Sequence, residues 1–356
     1  MSKQYRTLGH IPYTSADAES YYGPVKFHTM EKKLPLRVLS EEDWAFWQEN
    51  GYVVIKQAIS RDAALATLDF SFDFLGYSKT DPDTWYQLPD FKTVRQSETH
   101  AIGLMEAYHH QLLWDNRQNQ RVYDAFVDVW DTDELWVSLD RVNMNPPNIR
   151  NRKINPFIHW DINTTENPMP LRIQGVLAIN DSSPKQGGFQ CIPSLFKEYD
   201  EWVKTQPEDR SPIIPELSAH HKIIVPQLEA GDLLIFNGLL AHGIAANFTE
   251  NEMRAIQYMA MMPAIEEHQD LINERVYSWA TNNTPTWNES LVGDPVKHEK
   301  ERYGQASLTP LGEKLLGKTS WQTGESLVDV NALLEEKSKG GRTPETLMVK
   351  KETESA

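Results

Sequence analysis

The chain has 356 residues, of which 40% are hydrophobic and 24% charged, with 18 glycines and 21 prolines. That length and composition belong to a soluble globular protein of one large domain or two ordinary ones, and exclude a fibrous or wholly disordered chain. Acids outnumber bases 51 to 35, a net charge of -16, and a field of that sign repels nucleic acid and anionic membrane surfaces. Apolar runs such as YVVI (52–55) and LLIF (233–236) are far too short to span a bilayer, and the opening MSKQYRTLGHIPYT has no apolar signal core. A cytoplasmic location is therefore expected. The single cysteine, Cys191, closes no disulfide within the chain and builds no thiolate metal site, so a metal would have to be held by histidines and carboxylates.

Residues 1–38 carry aromatics, Gly9, Pro12, Gly23 and Pro35 without periodicity, which predicts an arm lying over the rest. Ser40 followed by Asp43 predicts a capping box, Trp44 and Trp47 share the face of the helix that follows, and Gly51 ends it before a strand at 52–55. A second helix is expected over 60–75, a turn-rich stretch over 76–100, and helical structure again over 101–130. The middle of the chain changes character. Short β-like runs occur at 135–145, 157–163, 171–180, 188–194, 221–227, 232–236 and 254–262, and predict an antiparallel barrel or sandwich, with 181–188 and 229–232 as its clearest turns. Helical periodicity returns over 265–279, and from about 335 the chain is charged and poor in large apolar residues. The expected organisation is one domain over 1–335 (arm 1–38, helical support 39–130, β core 131–263, C-terminal helices 264–335) and a mobile tail over 336–356.

His159-Trp160-Asp161 places two metal-competent side chains at i and i+2, which on a strand share one face while Trp160 takes the other. Such a pair can supply two members of a 2-His-1-carboxylate facial triad, a site that leaves positions open on Fe(II) for a bidentate co-substrate and O2. The pair alone is a weak signal: 11 histidines and 51 acids in 356 positions give roughly 1.6 His-x-acid pairs by chance, and His268-Gln269-Asp270 is a second one. That second pair lies in helical periodicity, where i and i+2 do not face each other. The first pair has a partner set downstream. The run AGDLLIFNGLLAHGIAANFTENEMRAIQYM brings His242 just after a strand, 81 residues beyond Asp161, and Arg254 on the next strand. A strand, a turn and a returning strand set these two side by side, so that the histidine can ligate iron while the guanidinium grips the far carboxylate of a chelating 2-oxo diacid. Gly231-Asp232 gives a tight turn into this segment, and Gly243 leaves space beside the metal.

HWD, then GGFQCIPSLF, then GDLLIFNGLLAHG and the trailing Arg254 together resemble the phytanoyl-CoA dioxygenase family of Fe(II)/2-oxoglutarate oxygenases, over roughly 41–262. LSEEDWAFWQENGYVVIKQAIS is similar to the family's opening helix and strand, and NDSSPKQGGFQCIPSLFKEY to its turn between two core strands. The resemblance implies an α+β protein with a mainly β core, a double-stranded β-helix (jelly roll) flanked by N- and C-terminal helices. It also implies iron on His159, Asp161 and His242 as the metal and catalytic residues, and 2-oxoglutarate held by Arg254, with Asn143 the best match for a further polar contact and Arg141 behind it. The chain departs from the family's pattern in having Pro193-Ser194-Leu195-Phe196 in place of Pro-Gly-Ser-His, and Ile244 where relatives often have Ser or Thr. The implied cofactors are Fe(II), 2-oxoglutarate and O2, and the implied reaction is oxidation, chiefly hydroxylation, of a small organic substrate in specialised metabolism. An acyl-CoA substrate and a non-catalytic jelly-roll binding protein are the competing readings. The sequence leaves the oligomeric state open, a homodimer included.

Plainer roles are expected for other conspicuous residues. Trp160 is turned into the core by alternation. Arg150, Arg152 and Lys153 suit a solvated loop. Neighbouring side chains on a helix or strand diverge, so His109-His110 and His220-His221 are read as surface or core positions, not as ligands. Cys191 is read as a small buried hydrophobe.

Overall fold

In the computed structural model the described residues are 32–90, 97, 100–150, 155–167, 169, 171–285 and 298–339, together with the backbone of two short paired strands, β1 (Thr7–Leu8) and β2 (Ile11–Pro12). Most of the expected arm, Arg152, Lys153 and the tail from 340 lie outside the described residues.

Helix α1 (Glu41–Asn50) opens on the expected capping box: the Ser40 hydroxyl accepts from Asp43 N at 3.1 Å, and the Asp43 carboxylate accepts from Ser40 N at 3.0 Å. It closes on Gly51 at φ 72°, with Trp44 and Trp47 buried. A Cβ at Gly51 would meet the Phe196 ring at 2.8 Å, so glycine serves both the left-handed turn and the packing there. Strand β3 (Tyr52–Ile55) and helix α2 (Arg61–Leu75), capped by Ser60, follow as the pattern predicts. The stretch 101–130 is helical only in its later part, as α3 (Gln111–Arg117) and α4 (Gln120–Trp130). Residues before it run along the sheet instead: Met105 N donates to Val142 O at 3.0 Å, and Leu104 bridges Asn143. Pairing with an open strand edge outweighs helical spacing at this point.

The β run 135–145 is two strands, β4 (Leu135–Val137) and β5 (Val142–Asn145), both antiparallel to the long β10 (Arg254–Pro263). With β6 (Ile173–Ala178) and β8 (Leu233–Asn237) they form a large antiparallel sheet in the order β3-β8-β6-β10, closed by β4 and β5 along the far side of β10. A smaller sheet pairs β7 (Gly188–Cys191) with β9 (His242–Ala245). The runs 157–163 and 221–227 contribute to it only as single bridges, His159 to His242 and Ile224 to Cys191.

Strand alternation divides the large sheet cleanly. Val53, Ile55, Ile173, Leu177, Leu233, Ile235, Met259 and Met261 pack with Trp44, Phe126 and Val276 of the flanking helices. Tyr52, Val176, Ala178, Leu234, Phe236 and Ile256 point the other way and meet Phe189, Cys191 and Trp160, so the two sheets face each other across a second apolar cluster. At about 25 cal/mol per Å² of apolar surface, burial of this kind on both faces is the main force holding the large sheet in place.

Helix α5 (Pro193–Trp202) follows β7 and packs Leu195, Phe196, Tyr199 and Trp202 into the second cluster beside Trp160, whereas the C-terminal helices α6 (Gln269–Thr281), α7 (His298–Arg302), α8 (Pro310–Leu316) and α9 (Val330–Lys339) follow the last strand, with α6, α8 and α9 packing into the first cluster. Helix α9 runs on past 335 into the first residues of the segment expected to be tail, and Leu333, ahead of that boundary, anchors it in the core. No described helix is long and apolar enough to cross a membrane.

Candidate metal and co-substrate site

The site lies where the small sheet meets the inner face of the large one. His159 and His242 form an antiparallel bridge, with His159 N to His242 O at 2.8 Å and His242 N to His159 O at 2.9 Å. Directly opposed residues project to the same side, and the two imidazole rings lie 4.8 Å apart. Asp161 completes the group, its Oδ1 3.3 Å from His159 Nε2 and its Oδ2 3.5 Å from His242 Nε2. The three candidate donor atoms all lie within 4.8 Å of one another. Trp160 points away as expected: its indole donates to Leu239 O at 2.7 Å and packs edge-on against Tyr199 and Trp202.

The donor chemistry fits a divalent metal. His242 Nδ1 lies 2.9 Å from the Leu240 carbonyl, which can only accept, so Nδ1 carries the proton and Nε2 presents its lone pair to the cluster. For Asp161, burial alone would push the carboxyl up, but the neighbouring His159 and His242 side chains and the Arg172 charge outweigh it and hold the carboxyl well below the ordinary range. It is therefore ionised. Two imidazole nitrogens and one carboxylate are the donor set of a non-haem Fe(II) facial triad. Phe157 stacks on the His159 ring at 4.6 Å, and Phe236 lies 4.5 Å from His242. Gly243 leaves room for backbone, not for a metal: a Cβ there would collide with the Phe157 carbonyl oxygen on the strand carrying His159.

Arg254 is buried at 2% exposure, and no carboxylate pairs with it among the described residues. Its Nε has no partner, and burial pushes the guanidinium down to about 10. A buried cation without a fixed counter-ion is costly and is satisfied by an anionic ligand. The β5–β10 register sets Asn145 directly opposite Arg254 and Asn143 opposite Ile256. Asn145, turned with its amide oxygen toward Arg254, accepts from Nη2. Asn143 is two residues along β5 on the same face and donates from Nδ2 to Ile102 O at 2.7 Å. Arg141 is held by Glu106 at 2.9 Å and Tyr108 at 2.8 Å. Tyr258 lies four residues along β10 from Arg254, and burial pushes its phenol up to about 12.

Sequence reasoning missed two partners of these residues, Asn145 and Gln174, the latter donating from Nε2 to Asp161 Oδ2 at 2.9 Å. It also misread His220-His221. Both imidazoles converge on Glu198 Oε1, His220 at 2.8 Å, because 218–221 is a turn and not a helix or strand. Ser218 N–H donates to His221 Nδ1 at 3.0 Å, so His221 presents a proton to Glu198, and the group is a hydrogen-bonded cluster. The plain roles read for several other described residues agree with the structure. His268 caps α6 by accepting from Leu271 N at 3.2 Å, His109 Nε2 lies 2.8 Å from Ser278 Oγ, Arg150 pairs with Asp83 at 2.6 Å, and Cys191 is buried.

An α+β protein with antiparallel sheets, a His-Asp-His group fit for a metal and an unpaired buried arginine belongs among metal-dependent enzymes that handle an anionic co-substrate. A family model for phytanoyl-CoA dioxygenase (PhyH) matches residues 47–256, and the chain belongs to that family of Fe(II)/2-oxoglutarate-dependent oxygenases. "Ava biosynthesis cluster protein O" of Aspergillus versicolor is 23% identical over 262 residues, 65% of this chain and 82% of that protein. The fold is similar to that of the GlcNAc Inducible Gene 2 product of Candida albicans (12% identity, 88% of this chain and 85% of that chain covered, TM-score 0.58). It is also similar to that of a hypothetical protein from Escherichia coli (16% identity, 78% and 82% covered, TM-score 0.57).

Proposed function

We propose that this oxygenase hydroxylates a small organic substrate in specialised metabolism, forming succinate and CO2 from 2-oxoglutarate, within one cytoplasmic oxygenase domain over 1–335. The facing sheets support a double-stranded β-helix core with His159, Asp161 and His242 as iron ligands. The observation that carries the reading is this His-Asp-His group together with Arg254, a buried guanidinium on the inner face of the large sheet that no carboxylate pairs with among the described residues. Bound iron supplies the centre at which the 2-oxo acid and O2 react.

The chain's own residues set the conditions. His242 offers Nε2 because Leu240 O holds its other nitrogen, and Asp161 stays ionised at neutral pH. Arg254 binds the distal carboxylate of 2-oxoglutarate through a bidentate fork, with Asn145 orienting the guanidinium from the opposite strand. Ile244 adds no hydroxyl to this contact, so Arg254 carries more of it here than in relatives with Ser or Thr. Phe189 and Phe236 are buried beside His242 and make that side of the site apolar, while Phe157 stacks on His159 and is itself exposed, so the site opens to solvent at Phe157.

The name of the Aspergillus versicolor relative supports a role in a biosynthesis cluster, and it favours a specialised metabolite over an acyl-CoA. The presence of all three candidate ligands argues against a non-catalytic binding protein. The test is anaerobic addition of Fe(II) and 2-oxoglutarate to the purified chain. A weak visible charge-transfer band is expected, absent in Asp161→Ala, and 2-oxoglutarate-dependent O2 uptake should follow admission of air. No band in the parent protein would overturn the reading.

A further inference from the structure

We infer that Gln174 is a positioning residue that fixes the ligating geometry of Asp161; the inference rests on the assignment of Asp161 as a metal ligand made above. Asp161 lies on a bend just past the His159 bridge, outside every strand. Its own backbone therefore gives the carboxylate no rigid mount. The mount comes from β6, which is hydrogen bonded on both sides, to β8 and β10. Gln174 stands on the inner face of this strand, opposite Phe236 on β8 and Ala260 on β10, and its Nε2 donates to Asp161 Oδ2 at 2.9 Å. Two residues earlier, hence on the same face, buried Arg172 donates from Nη1 to the Asp161 carbonyl at 3.3 Å. One side chain holds the main chain of Asp161, and the other holds its carboxylate.

The chemistry of the amide suits the task. A neutral N–H fixes one carboxylate oxygen without cancelling the negative charge that a cation needs, and it leaves Oδ1 free on the side of His159. The Gln174 Oε1 is buried and has no hydrogen-bond partner among the described residues. Turning the amide over would set that oxygen against the carboxylate, so the orientation is dictated by Asp161 at the cost of an orphaned carbonyl. A residue present only for packing would carry no such defect, since leucine fills a similar volume without it.

The test is Mn(II) titration of the purified full-length chain, followed by the EPR signal of the free ion, with no turnover involved. Gln174→Leu should raise the Mn(II) dissociation constant about tenfold to hundredfold, the range for loss of a partner that orients a ligand, while the metal-free melting temperature stays within a few degrees of the parent. Gln174→Met, closer in length, should behave alike and serves if the leucine variant folds poorly. In an Asp161→Ala background, adding Gln174→Leu should change the remaining affinity by less than about twofold, because the two residues act through one interaction. Parent affinity in both Gln174 variants, with affinity lost in Asp161→Ala, would overturn the inference and leave the ligand assignment standing. Parent affinity in Asp161→Ala would remove the ligand assignment itself. An equal loss with and without Asp161 would make Gln174 a structural residue and also overturn the inference.

Discussion

His159 and His242 exchange both hydrogen bonds of a single antiparallel bridge, at 2.8 and 2.9 Å, and thereby carry their imidazoles on one face although they lie far apart in the chain. The bridge fixes the spacing of the two nitrogen donors through the backbone, so removing either ring leaves the bridge in place. His159→Ala and His242→Ala should each abolish 2-oxoglutarate turnover and tight Mn(II) binding while circular dichroism and the metal-free melting temperature stay near those of the parent. Succinate formation near the parent rate in either variant would refute the assignment.

Gly243, by contrast, couples metal binding to folding. Any Cβ at this position strikes the Phe157 carbonyl oxygen, and that backbone cannot move without drawing His159 along. Gly243→Ala should cost about 1–3 kcal/mol of stability by overpacking and should weaken Mn(II) binding as well. Urea unfolding and the EPR titration together check both effects. Unchanged affinity would mean that the strand yields without displacing the histidine.

Arg254→Lys replaces a forked donor by a point charge in a buried position. The half-saturation concentration of 2-oxoglutarate should rise about tenfold to hundredfold, matching a loss of about 1–3 kcal/mol, with Mn(II) affinity unaltered. Measurement of 2-oxoglutarate-dependent O2 uptake decides it, and an unchanged half-saturation would move the anchor to another cation, Arg141 first.

Glu299 makes a prediction about pH. Its carboxylate accepts from Tyr108 N at 2.6 Å and His109 N at 2.5 Å, and burial pushes it from the ordinary 4.5 up to about 7. A group whose pKa rises on folding contributes stability that is complete below about 4.5 and disappears as pH rises through about 7. His109 has the opposite sign. Burial pushes it down to about 3, so its share is present above 6.5 and is lost as pH falls. The two overlap between 4.5 and 6.5, and only a difference measurement separates them. Relative to the parent, Glu299→Gln should gain stability by on the order of 2–3 kcal/mol between pH 4.5 and pH 8, as read by urea unfolding. A constant difference across that range would show that Glu299 does not titrate there.

How far the chain could be read beforehand varies with the kind of constraint. The capping box at Ser40 and Asp43 and the opposed faces of Trp160 and Asp161 follow from local rules, and the structure bears them out; His242 and Arg254, expected side by side on a strand and its returning neighbour, instead lie on β9 and β10 of different sheets, because β9 pairs with β7 and β10 with β5 and β6. Asn145 and Gln174 were out of reach because each acts across strands whose register no local pattern specifies. Asn143 and Asn145 have the same periodicity on β5, and only the pairing of Arg254 with Asn145 distinguishes them. His220 and His221 were misjudged for another reason: neighbouring side chains diverge in regular structure, but these two sit in a turn.

The small sheet has a consequence for local stability. Strands β8, β6 and β10 have hydrogen-bonded neighbours on both sides, whereas β9 has β7 on one side and the single His159 bridge on the other. The residues meant to hold a metal thus stand on the least reinforced part of the framework, where amide protons should exchange with solvent through local opening and not through global unfolding. An ion joining His159, Asp161 and His242 would fasten that edge as a cross-link does, slowing exchange at 157–161 and 242–245 and leaving β6 and β8 as slow as before. Occupancy of the centre would then be readable in the backbone, residue by residue, before any substrate is known.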